Sequence, residues 1–399
     1  MLFGFIPAGG NACRMNAEAK FALWHLGFRP FYLLASSFAA LSVLFWVGQY
    51  AGYLPATYLR TPAWHGHEML YGYTLAVVTG FLLTAVRNWT GKPTPSGPML
   101  MALAALWVCG RILVLTPFAL AAAVVNAVFP LAVAVAIGIP IVQSRNRRNY
   151  FFIALLSLLG LAVLALHLSS LGILAWPEQA SLQVGLDLVL FIISVMAGRV
   201  IPMFTNNGVP GARATRHPII ENLALGGVLA MLIADLLRAP SAVIVPLALG
   251  VTAAHAARLF LWQPWRTFGT PIVWVLHVAY GWLVISLLLR GLAALGMVGE
   301  LFAVHALTVG AIGGMTLGMM TRTARGHTGR PLVADRYEVA CYVLVALAAA
   351  IRVFGGMFLT SAYVATVVAS GICWSAAFAL YAVRYWPVLS RSRLDGKPG

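Results

Sequence analysis

FFIALLSLLGLAVLALHLSSL, residues Phe151–Leu171, runs without a single Asp, Glu, Lys or Arg. An α-helix rises about 1.5 Å per residue, so a run of this length crosses a hydrocarbon core of about 30 Å. Such a stretch has no polar face to offer water, and in lipid a helix satisfies its backbone internally. The one ionisable side chain in it, His167, is costly at membrane depth unless it meets an interior partner.

Outward from this stretch the same pattern recurs along the chain. Cuts at charges, prolines and glycines predict spans over Phe28–Gly52, Trp64–Val86, Gly97–Leu115, Phe118–Ile141, Phe151–Leu171 and Ser181–Phe204. A second set follows at Ile219–Leu237, Ala239–Trp262, Ile272–Leu289, Leu301–Thr321, Tyr337–Phe354 and Leu359–Tyr385. The expected fold is all-α, a polytopic integral membrane protein with about twelve transmembrane helices. Residues 1–27 read as a short cytoplasmic segment, 28–387 as one membrane domain and 388–399 as a cytoplasmic tail. No charged n-region followed by a sufficient apolar run opens the sequence, so the first span is expected to act as the insertion signal.

Composition agrees: 61% of the residues are hydrophobic and 9% charged, too few charges for a solvated surface. The net charge of +16 does not point to nucleic acid, because the basic residues lie between apolar runs rather than in one patch. They report topology instead. With both termini inside, only Arg60, Arg111, Arg238, Arg290 and Arg352 of the 26 Lys and Arg fall on the outer side. Cys13, Cys109, Cys341 and Cys373 show no CxxC spacing and read as packing residues. A Walker loop, a dinucleotide GxGxxG, a GxSxG elbow and a CxxCH haem attachment are all missing, so any haem is non-covalent.

Histidine carries the chemistry. His65 and His67 fall at the outer start of the second span, His167 near the outer end of the fifth and His305 about a turn inside the tenth. Four imidazoles at one depth on three helices point to metal, since each alone would need its own satisfied niche. His255 and His277 form a second, inner group. In WHGHEMLYGY, residues 64–73, a continuous helix sets His65 and Glu68 on one face and His67 on the other, near Tyr71. One ion takes both histidines only if Gly66 lets the first turn distort; otherwise they serve different centres. Glu68 is a candidate ligand, orienting carboxylate or proton carrier, and Asp187 a candidate proton donor to the outer group. Arg199 reads as a residue that snorkels to the surface or grips a haem propionate. Ala306, Gly310, Gly314 and Gly318 recur every four residues as a smooth ridge that suits either close helix packing or the plane of a porphyrin beside His305.

Several longer stretches resemble the NnrS family: LGFRPFYLLA from Leu26, WHGHEMLYGY from Trp64, GFLLTAVRNWTGKP from Gly80 and GRVIPMFTNN from Gly198. So do WVLHVAYGWL from Trp274, HALTVGAIGGMTLGMMTRTARGHTGRPL from His305 and the tail LDGKPG. The resemblance implies a bacterial inner-membrane protein that contains haem and copper and belongs to denitrification and tolerance of nitrosative stress. It maps the family's histidine motifs onto His65, His67, His277, His305 and His327, with His167 and His255 beside them. Its implied cofactors are haem b and copper or another non-haem metal, its ligand or substrate nitric oxide, and its surroundings membrane lipid and an electron donor of unknown identity. Reduction of nitric oxide to nitrous oxide is the enzymatic reading; a non-catalytic metal or haem transporter and a redox or nitric oxide sensor are the alternatives.

Overall fold

The computed structural model describes residues 21–54, 58–59 and 61–397. Twelve long helices appear among them: α1 Phe28–Tyr50, α2 Pro62–Thr90, α3 Gly97–Leu113, α4 Ala119–Gln143, α5 Phe151–Ser170, α6 Glu178–Gly208, α7 Pro218–Leu236, α8 Ser241–Leu261, α9 Pro271–Ala294, α10 Glu300–His327, α11 Arg336–Phe358 and α12 Tyr363–Ser390. Eleven are long and apolar enough to cross a membrane, and α3, with 17 residues, is the short one. The predicted count and class therefore stand, with ends moved by a few residues.

Sequence neighbours pack side by side from α4 through α12, as short loops require, and α12 lies along α1 so that the two ends of the chain's membrane portion meet. α2 lies against α1 and α4, bringing the histidine-rich second span inside. Its apolar window is 78% buried, against 28% for α7 and 22% for α8, which mark the lipid-facing edge. Three helices depart from α geometry: Glu68–Thr74 in α2, Ala306–Gly313 in α10 and Ile351–Gly355 in α11 are π-helical. Such widened turns gather at functional sites because they re-aim side chains.

The small-residue ridge of α10 is filled by α9. A Cβ on Gly310 would meet Trp282 Cγ at 2.4 Å, one on Gly314 Ala279 Cβ at 2.9 Å, and one on Gly318 Leu276 Cδ2 at 2.8 Å. Close packing thus claims this strip, and a flat ring has no place on it. Of the three described cysteines, all free, Cys341 is buried and Cys109 faces outward; Cys13 lies outside the described residues.

Acidic residues are scarce, and most of the described ones are held by arginine. Of the ten, Glu68, Asp187, Glu221, Asp235, Asp335, Glu338 and Asp395 form ion pairs. At membrane depth a carboxylate without a cation is expensive, so pairing is the condition for its presence. One such cluster joins α6 to α9: Arg258 donates Nε and Nη2 to the two oxygens of Glu221 at 3.0 Å each, Nη1 to the Tyr280 hydroxyl at 2.8 Å, and Nη2 also to the Ser194 carbonyl at 3.1 Å.

Two consequences follow for stability, both read from the melting temperature of purified protein in detergent. Gly310→Val is expected to cost about 1–3 kcal/mol by overpacking against Trp282, while Gly226→Val, which has open space around its Cβ, leaves the midpoint unchanged. Arg258→Met alone should cost up to about 3 kcal/mol, because Glu221 then keeps only the exposed Arg216 at 3.1 Å, and adding Glu221→Leu should recover most of that loss.

Candidate metal centre

The site begins with the π-helical turn of α2. Adjacent residues on a regular α-helix point about 100° apart and do not face each other. Where α geometry gives way at Glu68, the Nδ1 of His67 and the Oε1 of Glu68 come to 2.7 Å. His67 keeps the expected approach to Tyr71, with ring centroids 5.6 Å apart. Glu68 therefore sides with His67 and not with His65, which instead stacks on Trp46 at 4.1 Å between centroids. The predicted sharing of one face by His65 and Glu68 fails because the helix widens at that turn.

From α5, His167 brings its Nε2 to 3.1 Å from the Nε2 of His67, and its Nδ1 lies 2.9 Å from the Tyr58 hydroxyl. Both imidazoles are fully enclosed. Behind Glu68 stands Arg111 of α3, whose Nη1 donates to both carboxylate oxygens at 2.9 Å. Arg111 Nη2 donates in turn to Asn126 Oδ1 of α4, and Asn126 Nδ2 donates to the Ala122 carbonyl at 2.8 Å. One chain of contacts thus links five segments: Tyr58, His167, His67, Glu68, Arg111 and Asn126.

His305 opens the second widened helix, just before the π turn of α10. Its Nδ1 lies 2.6 Å from the Leu301 carbonyl, which makes Nδ1 the donor and leaves Nε2 bare. His65, His305 and Arg352 lie within electrostatic reach of one another. Arg352 belongs to the third π turn, which packs on the first turns of α10. Of the four outer histidines, only His67 and His167 meet directly; His65 stacks on Trp46 and His305 bonds the Leu301 carbonyl, so they do not form one cluster.

The remaining predicted residues are placed elsewhere. On α6, Leu182 and Gly185 press against Gly66 and Tyr71 of α2, which turns Asp187 to the other face. There Asp187 Oδ1 accepts from Arg290 at 3.1 Å and Gln183 at 3.0 Å, and Arg290 bridges to Asp235. Its expected link to the outer histidines is not made. His255 has both ring nitrogens engaged, Nδ1 with the Tyr280 hydroxyl at 2.7 Å and Nε2 with the Ala224 carbonyl at 3.3 Å. His277 holds the Thr205 hydroxyl with Nε2 at 2.8 Å, while its buried Nδ1 has no hydrogen bond among the described residues. The inner histidines thus turn to different partners. Arg199 donates to Asn149 Oδ1 at 2.8 Å and covers the Phe151 ring, a half-exposed surface position that fits snorkelling. His327 lies against Phe28, with ring centroids 5.6 Å apart.

Arg111, Asn126 and Tyr58 were not anticipated. Arg111 falls within the apolar run Gly97–Leu115, and that placement, rather than its side of the membrane, is the available signal of a buried partner. The same holds for Arg352 within Tyr337–Phe354.

The 3.1 Å contact is a hydrogen bond between the two imidazoles in the absence of any ion, and its geometry is compatible with a two-nitrogen metal site. A ligating imidazole almost always gives its other nitrogen to a carboxylate, carbonyl or similar partner, which fixes the tautomer. His67 does so through Glu68, His167 through Tyr58 and His305 through Leu301. Two nitrogens about 2.0–2.1 Å from one ion at the tetrahedral angle stand roughly 3.3 Å apart, close to the spacing of His67 and His167. No group of three or more His, Cys, Asp or Glu gathers among the described residues, so the chain offers this centre two imidazoles.

No curated protein matches the sequence closely enough to count as a relative. The sequence profile of one family, described as NnrS protein, matches residues 22–393, a stretch that holds all twelve helices and the four outer histidines. The chain therefore belongs to the NnrS family, a membership that supports a role in the nitric oxide response.

Proposed function

We propose that this protein binds copper and haem b through the histidines at the less basic end of the bundle and acts on nitric oxide, protecting the cell by reducing it to nitrous oxide. The proposal includes its setting: the inner membrane of a bacterium, both termini in the cytoplasm, and electrons from an external donor. The observation that carries it is the pair of Nε2 atoms 3.1 Å apart, each imidazole steered from behind through Nδ1. His67 and His167 are assigned to copper, and His305, with its bare Nε2 and with His65 nearby, to haem. His277, whose buried Nδ1 has no hydrogen bond among the described residues, is the candidate ligand of the inner half.

When bound, these groups would supply the redox chemistry and nitrogen-oxide affinity that no side chain offers. The chain's own residues do the rest. Glu68 accepts the Nδ1 proton of His67, which keeps a lone pair on Nε2. Arg111 grips both oxygens of Glu68, and Asn126 holds Arg111, so the carboxylate cannot swing away. Joining two nitric oxide molecules as nitrous oxide and water consumes two protons and two electrons. Tyr58 holds the Nδ1 of His167 at 2.9 Å as Glu68 holds that of His67, and so fixes the ring that would present the second ligand nitrogen.

Elemental analysis of the purified protein tests the copper assignment. His67→Ala and His167→Ala are expected to lose copper, and Glu68→Gln to weaken its retention about 10–100-fold. His305→Ala should remove or shift bands in the reduced-minus-oxidised spectrum. Nitric oxide consumption that continues unchanged in metal-free protein, with an electron donor present, would sink the reductase reading.

A further inference from the structure

The turn between α10 and α11 folds against the last turns of α12, at the end of the bundle that carries most of the basic loops. Between them lies a cavity of about 240 Å³ lined by Arg325, Arg330, Arg384 and Arg391 together with Glu338 and Tyr385. Four guanidiniums face one lining carboxylate, and that carboxylate is already committed. Glu338 accepts from Arg325 Nε at 2.7 Å and from the Tyr385 hydroxyl through one oxygen, and from the Asp335 backbone N–H at 2.7 Å through the other.

The arginines are not equally satisfied. Arg325 divides its donors between Glu338 and the Pro331 carbonyl at 3.1 Å, and half-exposed Arg384 gives Nη2 to Asp335 at 2.9 Å. Arg330 differs: its Nη1 is shut off from solvent and makes no hydrogen bond among the described residues. Burial first, and then the positive charges of Arg325 and Arg384, hold Arg330 below the ordinary guanidinium value. That direction is expected where like charges converge without enough counter-charge. Arg391, exposed at the rim, adds to the excess.

One chemistry answers both the unmet donor and the uncompensated charge: a tetrahedral oxyanion, whose several acceptor oxygens match the planar forks of arginine. The volume equals that of roughly eight water molecules at about 30 Å³ each. A single phosphate group fits such a space, with any larger remainder of its molecule left outside it. Depth favours lipid, because Trp386, beside the cavity on α12, is 56% exposed, and exposed tryptophans collect at headgroup level. We propose that this cavity binds a phosphate-class anion, either the phosphodiester of an acidic phospholipid or free phosphate.

Full-length protein in detergent tests the site in two arms. In native mass spectrometry, wild type is expected to retain phosphatidylglycerol over phosphatidylcholine. Arg330→Gln and Arg391→Gln should each cut that preference about fivefold, the effect of one arginine at a charged headgroup surface. Arg213→Gln, an exposed arginine outside the cavity, should leave it unchanged. In the second arm, melting is followed in phosphate and in chloride at equal ionic strength. A phosphate-specific rise that vanishes in Arg330→Gln, with phosphate displacing the lipid, identifies the free ion as the occupant. Lipid adducts that persist in phosphate identify the headgroup. The proposal is overturned if wild type shows neither lipid preference nor phosphate-specific stabilisation, or if both survive in Arg330→Gln and Arg391→Gln. Arg391 is exposed, so its variant remains informative even where Arg330→Gln folds poorly.

Discussion

The contact between Glu68 and Arg111 is the constraint from which the rest of the centre is built. A carboxylate among apolar helices has no water to turn to, and it persists there only when a cation and well-formed hydrogen bonds replace that water. Arg111 supplies both, reaching each oxygen of Glu68 at 2.9 Å. With the carboxylate fixed, His67 has one orientation in which Nδ1 is satisfied, and that orientation aims Nε2 at His167. Removing the arginine would leave a buried charge without a partner and an imidazole without a preferred tautomer.

Widened helical turns do the aiming. Regular geometry would send His67 and Glu68 to different sides of α2, and the π turn starting at Glu68 brings them together. A second π turn begins directly after His305, and a third contains Arg352. All three lie at the same end of the bundle. In each, the departure from i→i+4 bonding is tolerated because packed neighbours hold the backbone: Trp282 and Trp374 press on the π turn of α10 through Gly310 and Gly313. The glycines thus serve helix contact, and the contact in turn stabilises an irregular segment next to a histidine.

How much of this could be read from sequence depends on the kind of interaction. Helix number and class were legible because hydropathy is a sum over some twenty residues and survives local error. That His67 and His167 share a depth was legible from the spans, since both stand near span ends on the same side. Which histidines pair was not, because rotation about each helix axis is set by side-chain packing and by π turns that leave no hydropathy signal. Asp187 shows the limit well: its depth is right for the outer group, yet the face it occupies belongs to Arg290 and Asp235. Arg111, Arg290 and Arg352 were hidden for a different reason. Treated as markers of orientation, they fit the positive-inside pattern as its few exceptions, whereas in the fold each is drawn inward, Arg111 and Arg290 to acids and Arg352 to the Tyr363 hydroxyl.

That reversal suggests how charges in this bundle divide their work. On the basic side, most arginines are surplus to the acids present, and the surplus fits a role at the membrane surface. On the opposite side, the arginines within the helices, Arg111, Arg290 and Arg352, each bond a neighbouring side chain, while Arg238 in a loop stays exposed. In the proposed reading, the imidazole pair takes a cation there without a second net positive charge close by because Glu68 offsets Arg111 within the same chain of contacts. The ligands proposed for the two ends are therefore of opposite sign, a metal cation at the histidine end and an anion at the arginine end, and the acids that would make the first possible are the ones spent pairing with its arginines.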